Sequence, residues 1–143
     1  MPSTPDPIEL AARALRHRER SRREIDDRLA RAGVDEDARA DALETLERIG
    51  YVDDDRFALA RADALAGRGF GDAAIRADLG QHGLVAETIG AALAELTPEP
   101  ERALALVERL GRTPTVASRL ARKGFAHESL ETAFGGEISG TAL

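Results

Sequence analysis

Four arginines, Arg13, Arg16, Arg20 and Arg23, recur at three- and four-residue steps in a block that also holds Arg18 and Arg22 and a single carboxylate, Glu19. That spacing stacks the four guanidiniums on one face if a helix runs through them. Arginine stays charged and pairs with carboxylates or phosphates through parallel N–H donors, so such a face could hold an acidic protein surface or a nucleic-acid backbone. Ser21 stands inside the block as a residue that can interrupt the helix. A second cationic set, Arg112, Arg119, Arg122 and Lys123, lies near the other end of the chain. For both sets the competing reading is an ordinary solvated surface.

Other chemistry-bearing patterns are weaker. Asp53-Asp54-Asp55 offers three carboxylates, but a calcium loop spreads its ligands over a longer segment, and carboxylates at a helix start cap amides instead. Gly67-x-Gly69-x-Gly71 has neither a preceding strand nor a Gly-Lys-Ser/Thr, so it reads as a helix break and not a phosphate loop. His17, His82 and His127 are too dispersed to predict a shared metal. No Gly-x-Ser-x-Gly and no HExxH is present, and the absence of Cys removes thiol catalysis, thiolate metal sites and disulfides. The expectation is a non-enzymatic protein with no cofactor and no metal.

Composition bounds the scaffold. The chain has 143 residues, of which 43% are hydrophobic but only 3% aromatic. A core of Leu, Ile, Val and Ala follows, divided into several small local cores. The net charge of −6 is unevenly placed: the Arg block is followed by an acidic stretch from Asp35 to Asp55, and the third segment is basic again. The Pro-rich start lacks the basic and apolar regions of a secretory signal, and no apolar run approaches a membrane span, which points to a cytoplasmic protein with no membrane contact.

The elements that must position these residues are helices. Three segments, Ser21–Val34, Gly71–Leu84 and Arg112–Phe125, share a branched aliphatic residue eight before a Gly, a Leu four before it and an apolar residue after it. These are Ile25, Leu29 and Gly33, then Ile75, Leu79 and Gly83, then Val116, Leu120 and Gly124. The four-residue step puts both aliphatics on one face, and glycine leaves a helix through the left-handed region at little cost. Recurrence of this kind predicts stacked helical repeats.

Ser21-x-x-Glu24 has the form of a capping box. The first helix is expected from Ile8 through the Arg block. Later helices should run from Asp35 or Asp37 to Ile49 and from Asp53, the latter with Phe57, Ala60, Ala64 and Leu65 on or near its buried face. Thr97 could cap a helix begun by Pro98. The fold class is all-α, about nine helices in three three-helix units: residues 1–7 a disordered tail, 8–50 repeat 1, 51–97 repeat 2, 98–136 repeat 3, and 137–143 a mobile tail.

Gly50-Tyr51-Val52-Asp53-Asp54-Asp55-Arg56-Phe57-Ala58 resembles the signature joining the first two repeats of the RecX family, regulators of the RecA recombinase. Gly69-Phe70-Gly71-x-x-x-Ile75-Arg76-x-x-Leu79-x-x-x-Gly83 resembles the family's second repeat, and Ser21–Leu29 and Arg119–Phe125 resemble its first and third. The resemblance spans about residues 10 to 135. It implies an elongated, curved stack of repeats that binds RecA nucleoprotein filaments, within their groove, and reduces filament growth, ATP hydrolysis and strand exchange in recombination, repair and the SOS response. The partners implied are the filament and the single-stranded or duplex DNA inside it, met by a monomer. Gly50, Tyr51, Asp53, Asp54, Arg56, Phe57, Gly69, Gly71, Ile75, Leu79 and Gly83 are then mainly structural, with Tyr51 packed at the repeat junction. The alternative is a helical module that binds DNA directly, against which the acidic or neutral second helices at 35–49 and 86–96 argue.

Overall fold

The computed structural model describes residues 5–136. Residues 1–4 of the expected 1–7 tail, and all of the expected 137–143 tail, lie outside the described residues; Asp6 and Pro7, expected in the tail, instead cap and begin the first helix. Nine helices are present among the described residues: α1 (Pro7–Leu15), α2 (Arg22–Arg31), α3 (Glu36–Arg48), α4 (Asp54–Gly67), α5 (Asp72–Gln81), α6 (Ala86–Ala94), α7 (Glu99–Leu110), α8 (Pro114–Arg122) and α9 (His127–Ala133). None of them is long and apolar enough to cross a membrane.

The recurring Gly has a definite structural cause. Gly33, Gly83 and Gly124 have φ of +88°, +83° and +99°. At each, the next residue's amide returns to the Leu carbonyl: Val34 to Leu29 at 3.1 Å, Leu84 to Leu79 at 3.3 Å and Phe125 to Leu120 at 3.1 Å. The Gly amides close the inner bond of the same turn, as from Gly33 to the Ala30 carbonyl at 3.0 Å. This is the Schellman termination, in which the residue after the Gly packs on the residue four before it. The Leu and the following apolar residue are therefore one contact repeated three times.

Helix starts follow the carboxylates and hydroxyls. Asp6, Ser21, Asp35, Asp53 and Thr113 each accept a first-turn amide, and Ser21 with Glu24 completes the capping box. Pro98, not Thr97, is the cap position of α7, and no side-chain cap bond forms there. In α4 the buried stripe is Phe57, Ala58, Ala62 and Leu65, whereas Ala60 and Ala64 are exposed. A one-residue offset among alanines does not register in sequence, because alanine is nearly neutral about which side it faces.

Burial divides into three clusters. The first gathers Ile25, Leu29, Leu43 and Leu46 from α2–α3 with Ala11 and Ala14 of α1; the second Phe57, Leu65, Ile75 and Leu79 from α4–α5 with Ile89 of α6; the third Val107, Leu120, Phe125 and Leu130 from α7–α9. Each cluster draws on three consecutive helices, as a stacked repeat requires.

The repeats join head to tail. The Ser21 hydroxyl, at the start of α2, donates to the His82 carbonyl at the end of α5 (2.8 Å). The Gly71 amide, at the start of α5, donates to the Lys123 carbonyl at the end of α8 (2.8 Å). Ser21 and Gly71 are equivalent positions, as are His82 and Lys123, so one docking geometry is used twice. Among the described residues no hydrogen bond or ion pair links repeat 1 directly to repeat 3.

Candidate partner-binding surface

The Arg block does not form one helical face. Helix α1 ends at Leu15, α2 begins at Arg22, and residues 16–21 form a bend between them. The Ser21 capping box and the α1–α2 packing that buries Ala11, Ala14 and Ile25 in one core outweigh helical continuity. The four arginines are consequently dispersed. Arg13 pairs with Glu9 one turn back at 3.5 Å on the α1 surface. Arg20 donates to the Ala14 carbonyl at 3.2 Å and closes the end of α1. Arg23 donates to the Gln81 carbonyl, across the junction to repeat 2. A Cβ at Gly83 would meet the Arg23 side chain at 2.7 Å, so the glycine makes room for it. Arg16 is exposed and has no carboxylate partner among the described residues.

In the second set, Lys123 donates to the Arg68 carbonyl at 2.8 Å and stands over the Phe70 ring at 4.4 Å, so it fastens repeat 3 to repeat 2. Arg112, Arg119 and Arg122 are exposed and unpaired among the described residues. Counting from the repeat's Gly, Arg119 and Arg122 sit five and two residues before Gly124. Arg28 and Arg31 hold those positions in repeat 1, exposed and likewise unpaired. In repeat 2 they become Asp78 and Gln81, and Asp78 is held by Arg61 through two 2.8 Å bonds. The outer repeats therefore carry equivalent unpaired guanidinium pairs that the central repeat lacks. Alignment of the three repeats on their glycines marks Arg28 and Arg31 in the sequence, whereas the dense charge run lies upstream of them.

The junction signature is mostly architecture. Asp53 caps α4 by accepting the Arg56 amide at 3.0 Å, and Asp54 accepts the Arg22 amide at 2.8 Å. Burial outweighs that bond and pushes the Asp54 carboxyl above its ordinary value. Arg56 ties Glu19 (2.8 Å) to the Gly50 carbonyl (3.0 Å) and so clamps the α1–α2 bend onto the α3–α4 turn. Phe57 is buried and its ring centroid lies 5.2 Å from that of His82. Ile75 and Leu79 are fully buried. Gly69 ends its helix at φ +86°. Tyr51, expected to pack at the junction, is 52% exposed, and Val52 takes the inward position after the Gly50 turn.

Sequence reasoning missed Glu99. Its buried carboxylate accepts the Asp72 amide at 2.7 Å, the Ala126 amide at 3.0 Å and the Ser129 hydroxyl at 2.6 Å. Burial alone would raise its pKa; the Ser129, Asp72 and Ala126 donors and nearby Arg102 prevail and hold it below the usual range. Arg102 adds an ion pair to Asp72 at 2.9 Å. Among the described residues no three His, Asp or Glu side chains converge as metal ligands would.

Known proteins supply the remaining comparison. The family model for the second three-helix domain of RecX matches residues 53–93. The chain is 38% identical over 137 residues to the regulatory protein RecX of Xanthomonas axonopodis pv. citri, covering 89% of this chain and 85% of the relative. It is 34% identical over 142 residues to that of Stenotrophomonas maltophilia, covering 92% and 87%. Its fold is similar to the crystal structure of RecX from Lactobacillus salivarius, with a TM-score of 0.81 at 20% identity over 90% of this chain and 92% of that one. A second crystal structure of a regulatory protein RecX gives 0.73 at 23% identity, over 90% and 72%.

Proposed function

The chain belongs to the RecX family of regulatory proteins, and from that premise we propose that it binds RecA nucleoprotein filaments and restrains filament growth, ATP hydrolysis and strand exchange. The observation that carries this reading is the 38% identity to a regulatory protein RecX across 89% of the chain. It acts through binding and not through chemistry of its own, as a monomer in the cytoplasm that needs no cofactor. The repeat boundaries 8–50, 51–97 and 98–136 are its working units.

The mechanism is geometric. Two head-to-tail junctions hold the outer repeats at a fixed separation, and each outer repeat presents an unpaired guanidinium pair, Arg28 with Arg31 and Arg119 with Arg122. Such a body lies across neighbouring protomers and meets acidic protein surface or DNA phosphate at both ends. Bridged protomers neither add partners nor change conformation freely, which slows growth and hydrolysis together. Arg13, Arg16, Arg20, Arg23, Arg112 and Lys123 flank these contacts or hold the elements that carry them.

Co-sedimentation with RecA filaments on single-stranded DNA tests the proposal. Binding should weaken steadily as salt is raised, because both kinds of contact are ionic. Failure to co-sediment at low salt would refute it.

A further inference from the structure

Tyr51 is the only tyrosine of the chain, which has no tryptophan. It lines an open cleft of about 350 Å3 between the end of α1 and the α3–α4 turn. Ala12, Leu15 and Gly50 give this cleft its small and apolar walls, and Arg16, Glu19 and Arg56 its charges. The backbone at Tyr51 is fixed: its amide donates to the Leu46 carbonyl at 2.8 Å, and its carbonyl accepts from Arg56 at 3.4 Å. The residue is nevertheless about half exposed. An aromatic residue is thus anchored by its backbone at a concave surface without being used in the core.

The charges of the cleft choose among ligands. Arg56 is shared between Glu19 at 2.8 Å and Asp53 at 3.9 Å. Arg16 has no carboxylate partner among the described residues, so its guanidinium is the charged group of the cleft left free for a ligand. The cleft therefore favours an anion. An acidic side chain supplies the anion but no flat face, so a peptide would need a separate aromatic residue to meet the ring. A nucleotide supplies both: a base to stack and a phosphate one sugar away. Duplex bases are already stacked on each other, so the strand must be single.

We propose that this cleft takes one nucleotide of a single strand, with the base stacked on Tyr51 and the phosphate held by Arg16. The inference deepens the DNA-contact part of the filament reading and rests on it only for the strand being DNA. It assigns Tyr51 a binding role distinct from the outer guanidinium pairs, which meet charge alone.

The test uses the full chain without recombinase, so its failure leaves the filament reading standing. All tyrosine emission of the protein comes from Tyr51. Titration with a short oligothymidylate at low salt should quench that emission, and an abasic oligonucleotide of equal length should not. Tyr51→Ala should weaken oligothymidylate binding roughly tenfold, measured by anisotropy of a labelled strand, while Tyr51→Phe keeps it. Arg16→Ala should weaken binding and reduce its salt dependence by about one ion. Unchanged melting of the Tyr51→Phe and Arg16→Ala variants keeps the comparison free of folding effects. No binding, binding without quenching, equal quenching by the abasic strand, or full affinity in Tyr51→Ala would each overturn the proposal.

Discussion

The Glu99 carboxylate accepts two backbone amides and the Ser129 hydroxyl, from elements on both sides of the second junction. Its folded-state pKa lies below the ordinary value. A carboxylate so depressed contributes stability that is fully present above its unfolded pKa of about 4.3 and lost as pH falls through the folded value. Glu24, set by burial against the Ser21 amide and Arg18, and Asp78, set by Arg61, shift the same way. Asp54 shifts upward and acts oppositely. Three groups against one predict that the melting temperature falls between about pH 5 and 3. Glu99→Gln, which presents an amide to amide donors, should start less stable and show a shallower pH dependence. An identical pH profile in wild type and variant would contradict the assignment. Leu79, fully buried, should cost about 2–4 kcal/mol on truncation to Ala, measured by urea unfolding. Leu79 was legible from spacing alone. Glu99 was not, because a carboxylate between two prolines at a helix start looks like any first-turn residue until α9 and the preceding repeat close over it.

At the scale of elements, sequence carries the helix ends better than the helix contacts. The three Schellman turns and the capping box are local, so the residues that make them sit within six positions of one another. The junctions pair residues 27 to 61 positions apart, such as Asp72 with Glu99, Gly71 with Lys123 and Ser21 with His82, and leave no periodic trace. Gly71 illustrates this. Its φ of −86° suits any residue, yet a Cβ there would stand 2.4 Å from the Gly124 carbonyl carbon and the Phe125 nitrogen. The need is for space at a partner repeat, which the sequence of its own turn does not reveal. Gly71→Ala should therefore destabilise the second junction by about 1–3 kcal/mol and speed amide exchange in α8 and α9 more than in α2 and α3. Uniform or unchanged exchange would place the close approach elsewhere. The split of the Arg block has the same origin: charge spacing favoured one long helix, but the packing of α1 against α2 required a bend.

Over the whole molecule, three small cores, with no bond between repeats 1 and 3 among the described residues, make a modular body. Its surface charge is arranged by that modularity, with unpaired guanidiniums on repeats 1 and 3 at equivalent positions and a paired carboxylate in between. Arg119→Ala combined with Arg122→Ala removes exposed groups that hold nothing inside the fold. It should leave melting nearly unchanged while reducing filament affinity and its salt dependence. A large melting shift would show that these residues serve the fold instead. The central claim concerns the filament, and the most direct measurement is single-stranded-DNA-dependent ATP hydrolysis by RecA with this chain at substoichiometric ratio. Strong inhibition is the predicted result, since one bridging body arrests more protomers than it touches. Unchanged hydrolysis, together with no co-sedimentation on the filament, would contradict it.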